Sequence, residues 1–424
     1  MRNIFNALVA ALFMTMSATF NLYGQGVDFN RTLRVDYIFS GTDKETEIAV
    51  GELRELGEWA GRRHNLDKLP VAGNGRLVMS SNGEVLYTMS FSTLFQEWQA
   101  TEEATRVRKA FENVFLLPMP AQKAEILVEL YDLRGVVRAS LKHEVDPSDI
   151  LIRPATSASE HKYIFKGGGS DKCIDVAIVA EGYTKKERKL FYKDAKAAVD
   201  AILSHEPFAS MKEHFNFVAV ALESEDSGVS IPGKGEWKNT AVGSNFDTFY
   251  MDRYLTTLQL KKMHDALAGL PYEHLVILAN TDNYGGGGVY NSYTLTTAHH
   301  KAFAPVVVHE FGHSFGALAD EYYYDDMFVQ YYYPDVEPWE QNITTLHDFR
   351  SKWLDMLPST LPVPTPATEA NVKELGVYEG AGYQSKGVYR PMQDCRMKTN
   401  SAPAFCPVCQ RAIARMILWH CEEN

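Results

Sequence analysis

His309-Glu310-Phe311-Gly312-His313-Ser314-Phe315-Gly316-Ala317-Leu318-Ala319-Asp320 is the stretch on which the rest of the chain is read. Its first five residues form an HExxH pattern. Four residues make slightly more than one helical turn, so His309 and His313 leave a helix from one face. Two imidazole nitrogens at that spacing can reach one Zn²⁺ at about 2.0–2.1 Å. Glu310, beside the first histidine, stands where it can take a proton from an activated water and pass it to a leaving amine. The preceding run, Phe303-Ala304-Pro305-Val306-Val307-Val308, is apolar. It predicts a buried helix, with Pro305 tolerated in the first turn.

The third ligand needs a break in that helix. A continuous helix would carry Asp320 about 10.5 Å beyond His313 along the axis, at 1.5 Å per residue. Gly316 is expected to end the helix in a left-handed conformation, so that the chain turns back and Asp320 reaches the metal. The logic is similar to that of the metzincins, whose HExxHxxGxxH places its third ligand ten residues after the first histidine. Here that position is Ala319, and Asp320 comes one residue later. Glu321 is the nearest alternative. An arrangement drawing Asp335, Glu337 or Glu340 from downstream stays open. In Cys395-Arg396-Met397-Lys398, Met397 is read as a Met-turn residue, its thioether packed beneath the metal.

Outward from this motif, the chain divides into two. The whole has 424 residues, 45% hydrophobic and 23% charged, with a net charge of −12. That is enough apolar material for a large core, and it argues against a broad basic surface for nucleic acid. Residues 1–24 have one arginine, an apolar stretch and a polar tail, the layout of a cleavable export signal, too short in its apolar part to span a membrane. Their removal would take the net charge from −12 to −13, since they carry one Arg and no acid. The protein is expected to be exported, to the periplasm or the exterior, with no membrane span.

Residues 27–155 are expected to form a β-sandwich-like accessory domain. Arg76–Ser80 and Glu84–Phe91 flank Asn82-Gly83, a type I′ turn signal, and Ile126–Tyr131 and Val136–Leu141 flank Arg134-Gly135. Residues Gln99–Phe115 are read as helix or long connection. Residues 156–170, ending in Gly167-Gly168-Gly169, are read as a linker. From 171 to 424 the pattern alternates strands and helices, implying an α/β layer with a mostly parallel sheet. Thr184 and Glu187 have capping-box spacing. Val408–Trp419 reads as a terminal helix.

Several smaller features stay open. Gly285–Gly288 followed by Val289, Tyr290 and Asn291 is either an edge strand that binds substrate backbone or a surface loop. A tyrosine from Tyr322–Tyr324 or Tyr331–Tyr333 either donates to an oxyanion or simply packs. Glu223, Glu225 and Asp226 form either a structural calcium site or a solvated acidic loop. Cys395, Cys406, Cys409 and Cys421 are expected to give one disulfide involving Cys395 and the CxxC, with a structural zinc site as the alternative.

Residues 309–322, HEFGHSFGALADEY, together with Cys395-x-Met397 and Phe405-Cys406-Pro407-Val408-Cys409, resemble the IgA-peptidase-like family of secreted bacterial zinc metallopeptidases. The resemblance covers about residues 165–424 and extends to the β-rich N-terminal region as an accessory domain. It implies a zincin-like catalytic domain with one catalytic Zn²⁺, His309 and His313 as ligands, Glu310 as acid/base, and a protein or peptide substrate. Immunoglobulin A or another host glycoprotein is a substrate the family suggests without fixing. A catalytically inactive or highly selective surface-binding protein, and a zinc hydrolase of a non-peptide amide, are the competing readings.

Overall fold

The computed structural model describes residues 26–156, 159–324 and 331–422. The expected export signal and residues 325–330, between the two tyrosine clusters, lie outside these residues.

The N-terminal part is built from β1 (Val27–Gly41), β2 (Thr46–Leu56), β3 (Gly75–Ser81), β4 (Glu84–Phe91), α1 (Leu94–Gln99), β5 (Lys109–Pro120), β6 (Ala124–Tyr131), β7 (Val137–Val145) and β8 (Arg153–Pro154). They form two sheets, ordered β5-β1-β2-β8 and β4-β3-β6-β7. Alternate residues of each face a shared core, among them Leu33, Val35 and Tyr37 from one sheet and Leu77, Ile126 and Val128 from the other. Asn82 and Gly83 both take positive φ, as the hairpin signal requires.

Gln99–Phe115, read as helix or long connection, is a connection only as far as Arg108. The helix stops at Gln99, and Lys109–Pro120 is a full strand paired along β1. Asn113 sits at a core-facing position of that strand, 7% exposed, with its side chain bonded to the Phe111 carbonyl. A polar residue in the apolar register hid the alternation.

The expected linker also carries structure. Within it β9 (His161–Lys166) pairs antiparallel with β11 (Phe215–Val220). β9 is one edge of a six-stranded sheet ordered β13-β14-β12-β10-β11-β9, with β10 Ile174–Glu181, β12 His274–Ala279, β13 Gly286–Val289 and β14 Tyr293–Thr297. The inner pairs β10–β11, β10–β12 and β12–β14 are parallel, and both edge strands run antiparallel. β10, β11 and β12 are buried at every position, which explains the apolar runs Val176–Ala180, Phe217–Val220 and Leu275–Ala279 within them.

Helices cover both faces. α2 (Arg188–Leu203), entered through the Thr184/Glu187 capping box, α4 (Phe303–Ser314) and α5 (Pro407–Cys421) share one core with the sheet; α3 (Leu260–Leu267) packs on the other face. A three-stranded sheet, β15 (Tyr323–Tyr324), β17 (Tyr383–Arg390) and β16 (Tyr378–Ala381), closes over the chain that follows α4.

Candidate active site

α4 contains His309, Glu310 and His313 within its last two turns. Val306, Val307, Val308 and Phe311 bury its apolar face, while the two imidazoles keep 13% and 15% of their side-chain surface exposed. Pro305 is the third residue of the helix, where its missing N–H leaves no bond unmade.

The chain reverses after Ser314, by a different device from the one expected. Gly316 does not take the left-handed conformation; Ala317 does, with φ +55°. The N–H groups of Gly316, Ala317 and Leu318 fold back onto the carbonyls of Phe311, His313 and Gly312. Gly316 is required for space instead: a Cβ there would stand 2.7 Å from the Gly312 carbonyl oxygen and 3.0 Å from Ile413 of α5. Asn342 then holds the returning chain, accepting from the Ala319 N–H and donating to its carbonyl.

This turn brings Asp320 to the histidines. Its Oδ1 lies 3.0 Å from His309 Nε2 and 3.2 Å from His313 Nε2, and the two Nε2 atoms are 3.0 Å apart. Oδ1 is buried without a hydrogen bond of normal geometry. Three ligand atoms at the corners of such a triangle fit a metal: tetrahedral bonds of 2.0–2.1 Å place neighbouring ligands about 3.3–3.4 Å apart. The remaining atoms are fixed from behind. His309 Nδ1 faces the Arg396 carbonyl at 2.9 Å and His313 Nδ1 the Leu318 carbonyl at 2.6 Å, which sets both tautomers with Nε2 free. The Tyr383 hydroxyl donates to Asp320 Oδ2.

Charge follows geometry. Burial resists a charge on either histidine, but Asp320 overrides it: His309 is raised, and His313 is pushed up to about 9. Burial also resists ionisation of Asp320, yet the two imidazoles hold its carboxyl well below the usual carboxylate range. Burial raises the Glu310 carboxyl, an effect the neighbouring histidines reduce without cancelling. That is the direction a proton-shuttling carboxyl needs.

The competing acids all point elsewhere. Glu321 turns to Asn342 and Cys409; Asp335 pairs with Arg134; Glu337 faces Thr345 and Lys352; Glu340 accepts from Tyr332. Met397 is fully buried, and its sulfur lies 2.8 Å from where a Cβ on Gly312 would stand, under α4.

β13 lies against the open side of α4. A Cβ on Gly286 would come within 3.0 Å of Glu310 Oε1, and one on Gly288 within 2.4 Å of the Glu310 carbonyl oxygen. The edge is therefore the glycine run ending at Val289. Tyr290 and Asn291 lie beyond the strand in the turn to β14, where the Tyr290 carbonyl accepts from Ser92 and the Asn291 side chain donates to the Ser90 carbonyl. Glu225 and Asp226 accept from Asn239, and Glu223 lies 3.8 Å from Arg188, so contacts within the chain occupy the acidic loop. All five cysteines are free thiols; the expected disulfide is not formed.

Sequence reasoning missed Tyr383, Asn342 and Arg253. Tyr322 lies over His309 at 6.5 Å and touches Tyr383, while Arg253 donates to the Tyr324 hydroxyl at 2.9 Å. None sits in a motif; only the run Gly380–Gly382 before Tyr383, with φ +98° at Gly380 and +57° at Gly382, marks a special backbone.

Two family models match the chain. A model described as IgA Peptidase M64 matches residues 163–375 and 367–417, and one described as Peptidase M64 N-terminus matches residues 25–142. No curated protein matches the chain. The matched regions take in the α4 residues, the Asp320 turn and the Met397 segment, and the chain belongs to the IgA peptidase M64 family of metallopeptidases.

Proposed function

We propose that the protein is an exported zinc-dependent endopeptidase, with His309, His313 and Asp320 holding the metal and Glu310 acting as general base and acid. The observation that carries this reading is the triangle of Nε2, Nε2 and Oδ1 atoms, 3.0–3.2 Å on each edge, with Glu310 beside it. Zinc, when bound, supplies a Lewis acid that acidifies water and polarises the scissile carbonyl.

The chain's own residues do the rest. Glu310 takes a proton from the attacking water on its carboxylate and returns it to the leaving amine. Its position between two ligands supports catalysis over binding alone, since a structural metal has no use for a base there. β13 is an edge strand whose glycines let it lie close to Glu310, and beyond its bridge from Gly286 to Tyr254 it offers its backbone to an extended substrate by strand addition. Tyr383 orients Asp320, and Asp320 draws positive charge towards the site.

The test is digestion of a broad peptide mixture by the zinc-loaded protein, read by mass spectrometry beside Glu310→Gln. Cuts by the parent alone, with zinc retained in the variant, are expected; no cuts by zinc-loaded parent would sink the broad endopeptidase reading. The name of the matched family makes immunoglobulin A the first protein substrate to try.

A further inference from the structure

We propose that Cys395, Cys406, Cys409 and Glu321 form a second metal site, structural in role, that takes a thiophilic divalent cation of the zinc class. One ligand atom from each of the four lies within 4.8 Å of all the others. All four residues are buried, Glu321 and Cys409 completely. They come from three places: Cys395 from the Met397 segment, Cys406 and Cys409 from the start of α5, and Glu321 from the turn after α4.

The spacing suits a metal better than a disulfide. Cys395 Sγ and Cys409 Sγ are 3.8 Å apart. Metal–sulfur bonds of about 2.3 Å in a tetrahedron set sulfur atoms about 3.8 Å apart, whereas a disulfide bond measures about 2.05 Å. Glu321 is a second, independent pointer. Its Oε1 lies 3.1 Å from Cys409 Sγ and 3.0 Å from Asn342 Nδ2, but its buried Oε2 has no hydrogen-bond partner among the described residues. A fully buried carboxylate with an unmatched oxygen is costly unless a cation meets it.

The backbone is arranged for thiolates. The Cys406 N–H lies 3.2 Å from Cys395 Sγ, and the Cys409 N–H lies 3.5 Å from Cys406 Sγ. Both donors sit at the N-terminus of a fifteen-residue helix, whose dipole favours negative charge. Three soft sulfurs select zinc over calcium or magnesium. Burial raises the Glu321 carboxyl, so on binding three S–H protons and the carboxyl proton leave to solvent while three metal–sulfur bonds and one metal–oxygen bond form; no electrons move, so no oxidant is needed. The Arg390 guanidinium, within electrostatic reach of Glu321, offsets part of the site's negative charge.

Such a site would tie the Met397 segment and the Asp320–Glu321 turn to α5. It does not depend on the proposed catalysis. The test is metal content by elemental analysis in the full chain, purified with zinc under mild reduction, beside a His309→Ala/His313→Ala variant. Two equivalents are expected in the parent and one in the variant. Cobalt-loaded variant should show intense thiolate-to-cobalt absorption, and thiol titration after chelation and unfolding should find all five cysteines. A variant with no tightly bound metal, or a parent with only three titratable thiols, overturns the proposal. Cys406→Ser should leave the parent one equivalent short; if it fails to fold, the cobalt spectrum of the histidine variant still decides. Absence of peptide cleavage would count against the catalytic reading and leave these counts unchanged.

Discussion

Asp320 and Glu321 are sequence neighbours with opposite assignments: one faces two imidazoles, the other three thiols. Residues this closely placed make the site sensitive to single atoms. Tyr383→Phe removes the only hydroxyl donated to Asp320 Oδ2 that the structure shows, and leaves the ring packing on Tyr322. Metal affinity should fall by about 10–100-fold with little loss of folding, measured by competition with a chelator. Protonation gives a second expectation. In the metal-free protein His313 is raised to about 9, above the unfolded value near 6.5. Its stabilising contribution is complete below about 6.5 and is lost as pH rises through about 9. The melting temperature of metal-free protein should therefore lose this contribution between pH 7 and 9, while metal affinity rises about tenfold per pH unit for each proton displaced. A flat affinity profile over that range would show that the imidazoles are already neutral. At this scale the sequence made three site residues plain, because HExxH fixes spacing on a helix. Tyr383 and Asn342 were invisible because a hydroxyl or amide brought in from far along the chain leaves no periodic trace.

Elements position those residues by close approach. β13 can lie on α4 only because Gly288 has no side chain: an added Cβ would stand 2.4 Å from the Glu310 carbonyl oxygen. Gly288→Ala should cost about 1–3 kcal/mol in chemical unfolding and reduce activity more than it reduces stability, since it displaces the strand from Glu310. Met397→Ala opens a hole beneath the helix and should cost about 2–5 kcal/mol. The buried strands β10 and β12 and the Asn82-Gly83 hairpin were legible, since long apolar runs and turn dipeptides act locally. β5 was not, because Asn113 broke its alternation, and β9 was not, because its pairing with β11 is decided by a partner some fifty residues away. The turn after α4 shows the same limit: its glycine suggested a left-handed residue, but packing against Ile413 claimed Gly316 and moved that conformation to Ala317.

Across the whole molecule, the sandwich and the α/β part are joined by specific bonds. Arg34 and Asp36, both fully buried in β1, pair with each other, and Arg34 also reaches Asp265 of α3 at 2.6 Å. Asn65 donates to the carbonyls of Trp419 and Glu422, and Trp339 donates to Asn74. Arg34→Met leaves Asp36 buried without its main partner and should destabilise by about 3–5 kcal/mol, seen as an earlier denaturant midpoint. A change under 1 kcal/mol would mean that Lys261, 3.8 Å from Asp36, takes over the pairing.

The carbonyl behind His309 belongs to Arg396, and the hydroxyl behind Asp320 to Tyr383. During synthesis the helix bearing the histidines emerges well before either. A growing chain would thus carry its reactive residues in an unsupported, loosely metallated state until residues beyond 396 have folded back. Timing of this kind would keep the enzyme silent towards its own unfolded sequence while it is being made.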